Sequence, residues 1–182
     1  MGTTGDRKRN DTVDAQGREK KFNAAEEREK FLQLVKWADV LVENNLPRQM
    51  RQWGIDYATL ARLNPDLVMI SITPFGQTGP YAQWKAYDLN AYHLSASGSR
   101  YCGRPGEPPL QHGTFSAEFF GAYTAATWGL AAIHGRTQAG GQHLDVSCAD
   151  AIAALFVGCQ NIGAYAQDGA WEQRTGIGMP LG

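Results

Sequence analysis

One carboxylate in this sequence stands where it could act as a nucleophile. Glu118 lies within the stretch Gly113–Ala132, directly before Phe119 and at the start of a long apolar run rich in small residues. A carboxylate at the edge of a buried helix can attack an activated carbonyl and form a covalent intermediate. An acid in the first turn of a helix is also stabilised there by the helix dipole alone. The residues by themselves leave both interpretations open.

The elements that would position Glu118 alternate along the chain. A helix with a capping box of Asn23 and Glu26 precedes the short buried strand "DVLVEN". A second helix ends before Pro65 and precedes the apolar strand Leu67–Ile72. Because strands and helices that alternate in this way indicate parallel pairing, the predicted fold class is α/β, a parallel sheet with flanking helices.

The second half of the sequence changes in character. Residues 74–113 form glycine- and proline-rich loops around a short helix at Leu89–Ala96. Phe115–His134 is predicted to be a mostly apolar helix, buried on most of its surface, and a strand and a second apolar helix over Ala149–Ala166 follow. The predicted regions are a polar, flexible or incomplete start over 1–22, an α/β region over 23–147, and an apolar helix with a truncated connection over 148–182.

Composition and charge argue against several classes of function. The 182 residues carry a net charge of −1, which gives no electrostatic reason to expect nucleic acid or an anionic membrane as a partner. No apolar run is long enough to span a bilayer, and the three cysteines have no CxxC spacing. These features indicate a cytoplasmic protein without a disulfide framework. The histidines lack metal-ligand spacing, so no metal site is predicted.

Several short motifs occur together in one order. The chain carries "ADVLVEN", then "NPDLV", "MISIT", "FGQTGP" and "YD", and later "GGQHLDVSCADA". From about residue 26 to residue 182 this pattern resembles the family III CoA-transferases, which include formyl-CoA transferase and carnitine CoA-transferase. The resemblance implies a Rossmann-like sheet, coenzyme A thioesters as substrates, no permanently bound cofactor and an interlocked homodimer. Family members are considerably longer, so the chain is expected to be a central fragment.

The resemblance assigns two catalytic positions. An ungapped alignment of the apolar helix places Glu118 at the family's aspartate nucleophile, whereas a shift of one residue would place Ala117 there. Glutamate carries the same carboxylate on a longer side chain, so the covalent chemistry remains open to it. Tyr87 matches a tyrosine that lies near the reacting thioester in relatives.

The resemblance also assigns three residues that bind coenzyme A. Asn44 matches an asparagine that contacts the ligand at the carboxyl end of a parallel strand. Lys85 matches a lysine that contacts its phosphates, a role suited to a point charge on a flexible stem. Arg51 lies one position from an arginine that contacts the ligand, because Gln52 holds the aligned place; a solvated helix face explains Arg51 equally well.

The function predicted from these residues is transfer of CoA from an acyl-CoA thioester to a carboxylic acid acceptor through a covalent enzyme carboxylate. The related acyl-CoA racemases carry a histidine where Tyr87 stands. Because a free tyrosine has a pKa of about 10, it is a poor proton shuttle near neutrality, and a racemase is the weaker alternative. A non-catalytic subunit or a truncated chain is the third alternative.

Overall fold

A three-stranded parallel sheet forms the centre of the molecule. The computed structural model describes residues 25–96, 98, 102–108, 110, 111, 113–155 and 158–169. Its strands are β1 (Val40–Glu43), β2 (Val68–Thr73) and β3 (Gln142–Ser147), paired in the order β1-β2-β3. Both pairings are parallel. The predicted α/β class with a parallel sheet is therefore confirmed.

Helices precede, connect and follow the strands. Those in the described residues are α1 (Ala25–Val35), α2 (Pro47–Trp53), α3 (Tyr57–Leu63), α4 (Asp88–Leu94), α5 (Ser116–Ala139), α6 (Cys148–Leu155) and α7 (Gly158–Asp168). The single helix predicted over Ala149–Ala166 is thus two helices, α6 and α7. The predicted region 1–22, the capping residue Asn23 and the chain beyond residue 169 lie outside the described residues.

The sheet separates two apolar cores, because successive side chains of a strand point to opposite faces. Met69 of β2 packs in one core with Val35 of α1 and Leu60 of α3. Its neighbour Ile70 packs in the other core with Ala125 of α5. The α1–α3 helices therefore cover one face of the sheet, and α5 covers the other.

Polar side chains fix the ends of α1 and α3. Asp56 caps α3 by accepting a hydrogen bond from the Thr59 N–H at 3.0 Å. After α3 ends, the side-chain amide of Asn64 donates to the carbonyl oxygens of Val35 and Ala38, both at 2.9 Å. Because these carbonyls follow the end of α1, Asn64 joins α1 to the turn before β2.

Small residues allow α5 to lie close to the sheet. Its buried positions recur at helical spacing and include Ala117, Gly121, Ala125, Gly129 and Ala132. A Cβ on Gly129 would lie 2.7 Å from Cδ1 of Ile70, so a larger residue there would require the end of the Ile70 side chain to shift.

Two predictions about buried helix faces were wrong. The helix α5 runs past His134 to Ala139 and is buried along a stripe of small residues rather than on most of its surface. Its large side chains face away from the sheet: Phe119 is 67% exposed and Leu130 is 70% exposed. The helical spacing of Phe31, Leu34, Val35 and Ala38 predicts that this stripe faces a core, but Leu34 of α1 is exposed. In α5, apolar composition was mistaken for burial, whereas in α1 the spacing placed one residue too many on the buried face.

Candidate active site

A cavity of about 500 Å³ lies at the carboxyl ends of β1 and β2. Five parts of the fold form its wall: the ends of both strands, the residue before Tyr87, the first turns of α5 and the start of α6. The lining residues include Asn44, Thr73, Ala86, Glu118, Ala122 and Cys148. The carboxyl edge of a parallel sheet is the usual ligand site in α/β proteins.

The structure brings two of the five predicted site residues to this cavity. Asn44 and Glu118 both line it, although they are 74 positions apart in sequence. Lys85 and Tyr87 flank Ala86, which lines the cavity, and both side chains are exposed. Arg51 is exposed on α2 and does not line the cavity.

The amino end of α5, which carries Glu118, is capped by a different helix. Phe115 precedes α5 and offers no side-chain hydrogen bond to it. Instead, Oδ1 of Asp88 accepts hydrogen bonds from the N–H groups of Ala117, at 2.7 Å, and Glu118, at 3.1 Å. Asp88 is the first residue of α4, so α4 fixes the backbone position of the candidate nucleophile.

The two residues of the "YD" motif have opposite environments. Tyr87 is 84% exposed, whereas Asp88 is 5% exposed. The Tyr87 N–H donates to Oδ1 of Asn90 at 2.9 Å, which fixes the chain as it enters α4. Sequence reasoning assigned a role to Tyr87 and missed Asp88. The available signal was an acid at a predicted helix start, and nothing in its spacing pointed to α5.

Cys148 forms part of the wall near Glu118. Burial, together with the negative charges of Glu118 and Asp88, raises the pKa of the Cys148 thiol to about 11. The thiol is therefore protonated near neutral pH. Because the thiolate is the reactive form of cysteine, Cys148 does not compete with a carboxylate nucleophile in this cavity.

The turn that carries Asn44 is held by the residue before it. Oε2 of Glu43 accepts a hydrogen bond from the Asn45 N–H at 2.7 Å. Within the described residues, Oε1 of Glu43 and Oγ1 of Thr73 are buried without a hydrogen-bond partner, and both residues line the cavity. The cavity wall at the ends of β1 and β2 therefore contains two buried oxygens that have no hydrogen-bond partner among the described residues.

The "FGQTGP" motif lies against β3. Both carboxylate oxygens of Asp145 accept from the Gln77 N–H, at 2.9 and 3.0 Å. Gly76 has a φ of +80°, which favours glycine over residues with a Cβ. Phe75 and Gly76 line a second cavity of about 490 Å³ beside β3, not the cavity that contains Glu118.

Two further features bear on function. The described residues contain no group of three His, Cys, Asp or Glu side chains arranged to hold a metal ion. Within the same part of the chain, no helix combines the length and the apolar character needed to cross a membrane.

Three enzymes of named activity are similar to this chain over most of its length. The succinate–glutarate CoA-transferase of Agrobacterium fabrum is 38% identical over 124 residues, which are 68% of this chain and 31% of the relative. The succinyl-CoA–L-malate CoA-transferase alpha subunit of Chloroflexus aurantiacus is 34% identical over 81% of this chain and 34% of the relative. The acetyl-CoA:oxalate CoA-transferase of Acetobacter aceti is 37% identical over 69% of this chain and 33% of the relative.

A solved structure has the same fold. The crystal structure of a CaiB/BaiF family protein from Brucella suis superposes with a TM-score of 0.75 at 29% identity, over 85% of this chain and 40% of that chain. The chain spans about a third of the length of the curated relatives described above. The family model described as CoA-transferase family III matches residues 21–180. This chain therefore belongs to CoA-transferase family III.

Proposed function

We propose that the protein moves CoA from an acyl-CoA thioester to a carboxylic acid, with Glu118 as the covalent nucleophile. The observation that carries the proposal is the position of Glu118. It lines a cavity at the carboxyl edge of the sheet, on a backbone held by Asp88. Relatives that are 34–38% identical and named as CoA-transferases support the reaction class.

The proposed reaction proceeds through two kinds of covalent intermediate. The Glu118 carboxylate attacks the thioester carbonyl, CoA thiolate leaves, and a mixed anhydride forms. The thiolate then attacks the Glu118 carbonyl, which releases the donor acid and leaves a Glu118–CoA thioester. The acceptor carboxylate attacks this thioester, and a second mixed anhydride forms as thiolate leaves again. Attack of the thiolate on the acceptor carbonyl gives the new acyl-CoA and restores the Glu118 carboxylate.

The remaining predicted residues have proposed roles around this chemistry. Asn44 contacts coenzyme A at the cavity wall, and the exposed ammonium of Lys85 attracts its phosphates. Tyr87 lies beside the thioester, and Arg51 supplies a second cation at the rim. Residues 23–147 are the proposed CoA-binding region.

The proposal extends to assembly and location. The exposed apolar side chains of α5, among them Phe119, Tyr123 and Leu130, support an interlocked homodimer in which a second copy covers them. Cys102 and Cys148 are not joined in a disulfide, which supports the proposed location in the reducing cytoplasm.

Covalent trapping tests the nucleophile. The protein is incubated with a panel of acyl-CoA thioesters, treated with hydroxylamine or borohydride, and analysed by peptide mass spectrometry. We expect a modification confined to the peptide that contains Glu118 and absent from Glu118→Gln. Glu107→Gln, which changes an exposed acid outside the cavity, is the matched control and should retain the modification. An unmodified Glu118 peptide despite measured CoA binding would contradict the proposal.

A further inference from the structure

We propose that Asp88 is a positioning residue for Glu118: its carboxylate fixes the first turn of α5 and thereby the position of the nucleophile at the cavity. The inference rests on the proposed function, because it assigns Asp88 a task in the acylation of Glu118. It goes beyond that function by naming a residue that acts on the nucleophile without touching the substrate.

The geometry supplies the positioning. The N–H groups of Ala117 and Glu118 both donate to one oxygen, Oδ1 of Asp88, at 2.7 and 3.1 Å. Ala117 and Glu118 lie 29 and 30 positions after Asp88 in the sequence. Phe115, the residue directly before α5, does not cap the helix with its side chain. The backbone of Glu118 is therefore held by a hydrogen bond to α4 and not by the residue that precedes α5.

Stability alone does not account for an aspartate at this position. A cap requires only one acceptor, and neutral Ser, Thr or Asn side chains serve as well as Asp. Asp88 is 5% exposed, and its second oxygen, Oδ2, has no hydrogen-bond partner among the described residues. Because burying an unsatisfied charged oxygen is unfavourable, a residue chosen only for capping would not be this one.

The charge of Asp88 reaches the cavity wall. Asp88 and Glu118 both act electrostatically on the thiol of Cys148, which lines the cavity. Acylation converts the Glu118 carboxylate into a neutral anhydride or thioester, and the negative charge leaves on the CoA thiolate. Asp88 serves this step by holding the backbone of Glu118, because a small displacement of a nucleophile slows its attack.

Paired variants separate the charge from the cap. Asp88→Asn keeps an acceptor oxygen and removes the charge, whereas Asp88→Ala removes both. Asp56, which caps α3 away from the cavity, supplies the matched controls Asp56→Asn and Asp56→Ala. For each variant we would measure the melting temperature, the KM for acyl-CoA, and the rate at which Glu118 is acylated.

We expect Asp88→Ala to slow acylation of Glu118 by about tenfold or more and to lower the melting temperature, with little change in KM. Asp88→Asn should restore both values, because its amide oxygen still accepts the two hydrogen bonds, whereas Asp56→Ala should lower only the melting temperature and Asp56→Asn should change neither value. A wild-type acylation rate in Asp88→Ala would overturn the positioning. If the acylation rate fell in proportion to the melting temperature in the variants of both Asp88 and Asp56, Asp88 would be only a helix cap.

A second measurement does not depend on turnover. Amide hydrogen exchange at Ala117 and Glu118 should be slow in the wild type and in Asp88→Asn, and fast in Asp88→Ala. Equal exchange in all three proteins would overturn the positioning. A wild type that forms no adduct, with exchange as expected, would instead refute the proposed function while the link between Asp88 and Glu118 stands.

Discussion

Gly121 of α5 packs directly against Cys148 of α6. A Cβ built on Gly121 would lie 2.5 Å from the sulfur and 3.4 Å from the Cα of Cys148. The missing side chain of one residue thus makes room for a residue that lines the candidate site. Close packing at this point sets the distance between the helix that carries Glu118 and the helix that follows β3.

Gly121→Ala should therefore destabilise the protein despite the better helix propensity of alanine. We expect a loss of about 1–3 kcal/mol in the free energy of unfolding, because extra volume in a packed contact forces the helices apart. Gly135→Ala is the control, since a Cβ there meets no atom within 4 Å, and it should gain up to about 1 kcal/mol. Urea unfolding measures both, and equal effects would show that the contact is not tight.

His143 should make stability depend on pH. Its Nε2 lies 2.9 Å from Oγ of Ser71, and burial lowers the pKa of His143 below the ordinary 6.5. The unfolded chain then binds a proton more tightly than the folded chain. The free energy of unfolding should fall as the pH drops through 6.5 and continue falling to the lower pKa of the folded state.

Urea unfolding between pH 8 and pH 5 checks this expectation. His143→Gln should flatten the dependence over this range, because it removes the titrating ring. His134→Gln changes an exposed histidine on α5 and should leave the slope as it is in the wild type. A slope that persists in His143→Gln would assign the effect to another group.

The thiol of Cys148 should resist alkylation. Its pKa of about 11 and its burial leave little accessible thiolate near neutral pH. Iodoacetamide at pH 7.5 should label Cys102, which is partly exposed, faster than Cys148 in the folded protein. In urea the two rates should converge. Rapid labelling of Cys148 under native conditions, quantified by peptide mass spectrometry, would contradict the buried position.

An ion pair connects the end of α5 to the start of β1. Nη1 of Arg136 lies 2.6 Å from Oδ1 of Asp39, with the aspartate side chain largely exposed. Because one partner is exposed, Asp39→Asn should lower the free energy of unfolding by only about 0.5–1 kcal/mol at low salt. High salt should reduce the difference. Asp66→Asn, an exposed acid beside the same residues, is the control with no expected loss.

The sequence predicted the sheet better than the surfaces of the helices. The strands β1 and β2 follow from short apolar runs, and β3 follows from the glycine turn at the start of "GGQHLDVS". Burial on α5 was wrong because the helix is apolar on all sides, and only contact with Ile70 and its neighbours decides which side is covered.

The candidate site was predicted in part for a similar reason. Asn44 and Glu118 were found through a resemblance of motifs, and the structure places both at one cavity. Asp88 was missed because its partners lie 29 and 30 positions away, and no local pattern encodes a hydrogen bond between two helices. The spacing of residues in one sequence does not predict a contact between two helices of this kind.

The bond from Asp88 to α5 has a consequence for how this site tolerates change. The two hydrogen bonds of Asp88 close a loop that runs from the first residue of α4 to the first turn of α5. Insertions or deletions there alter the length of the loop while leaving Glu118 in its place. A change in the length of this loop therefore need not move the backbone of Glu118, so the loop can vary while the nucleophile keeps its position.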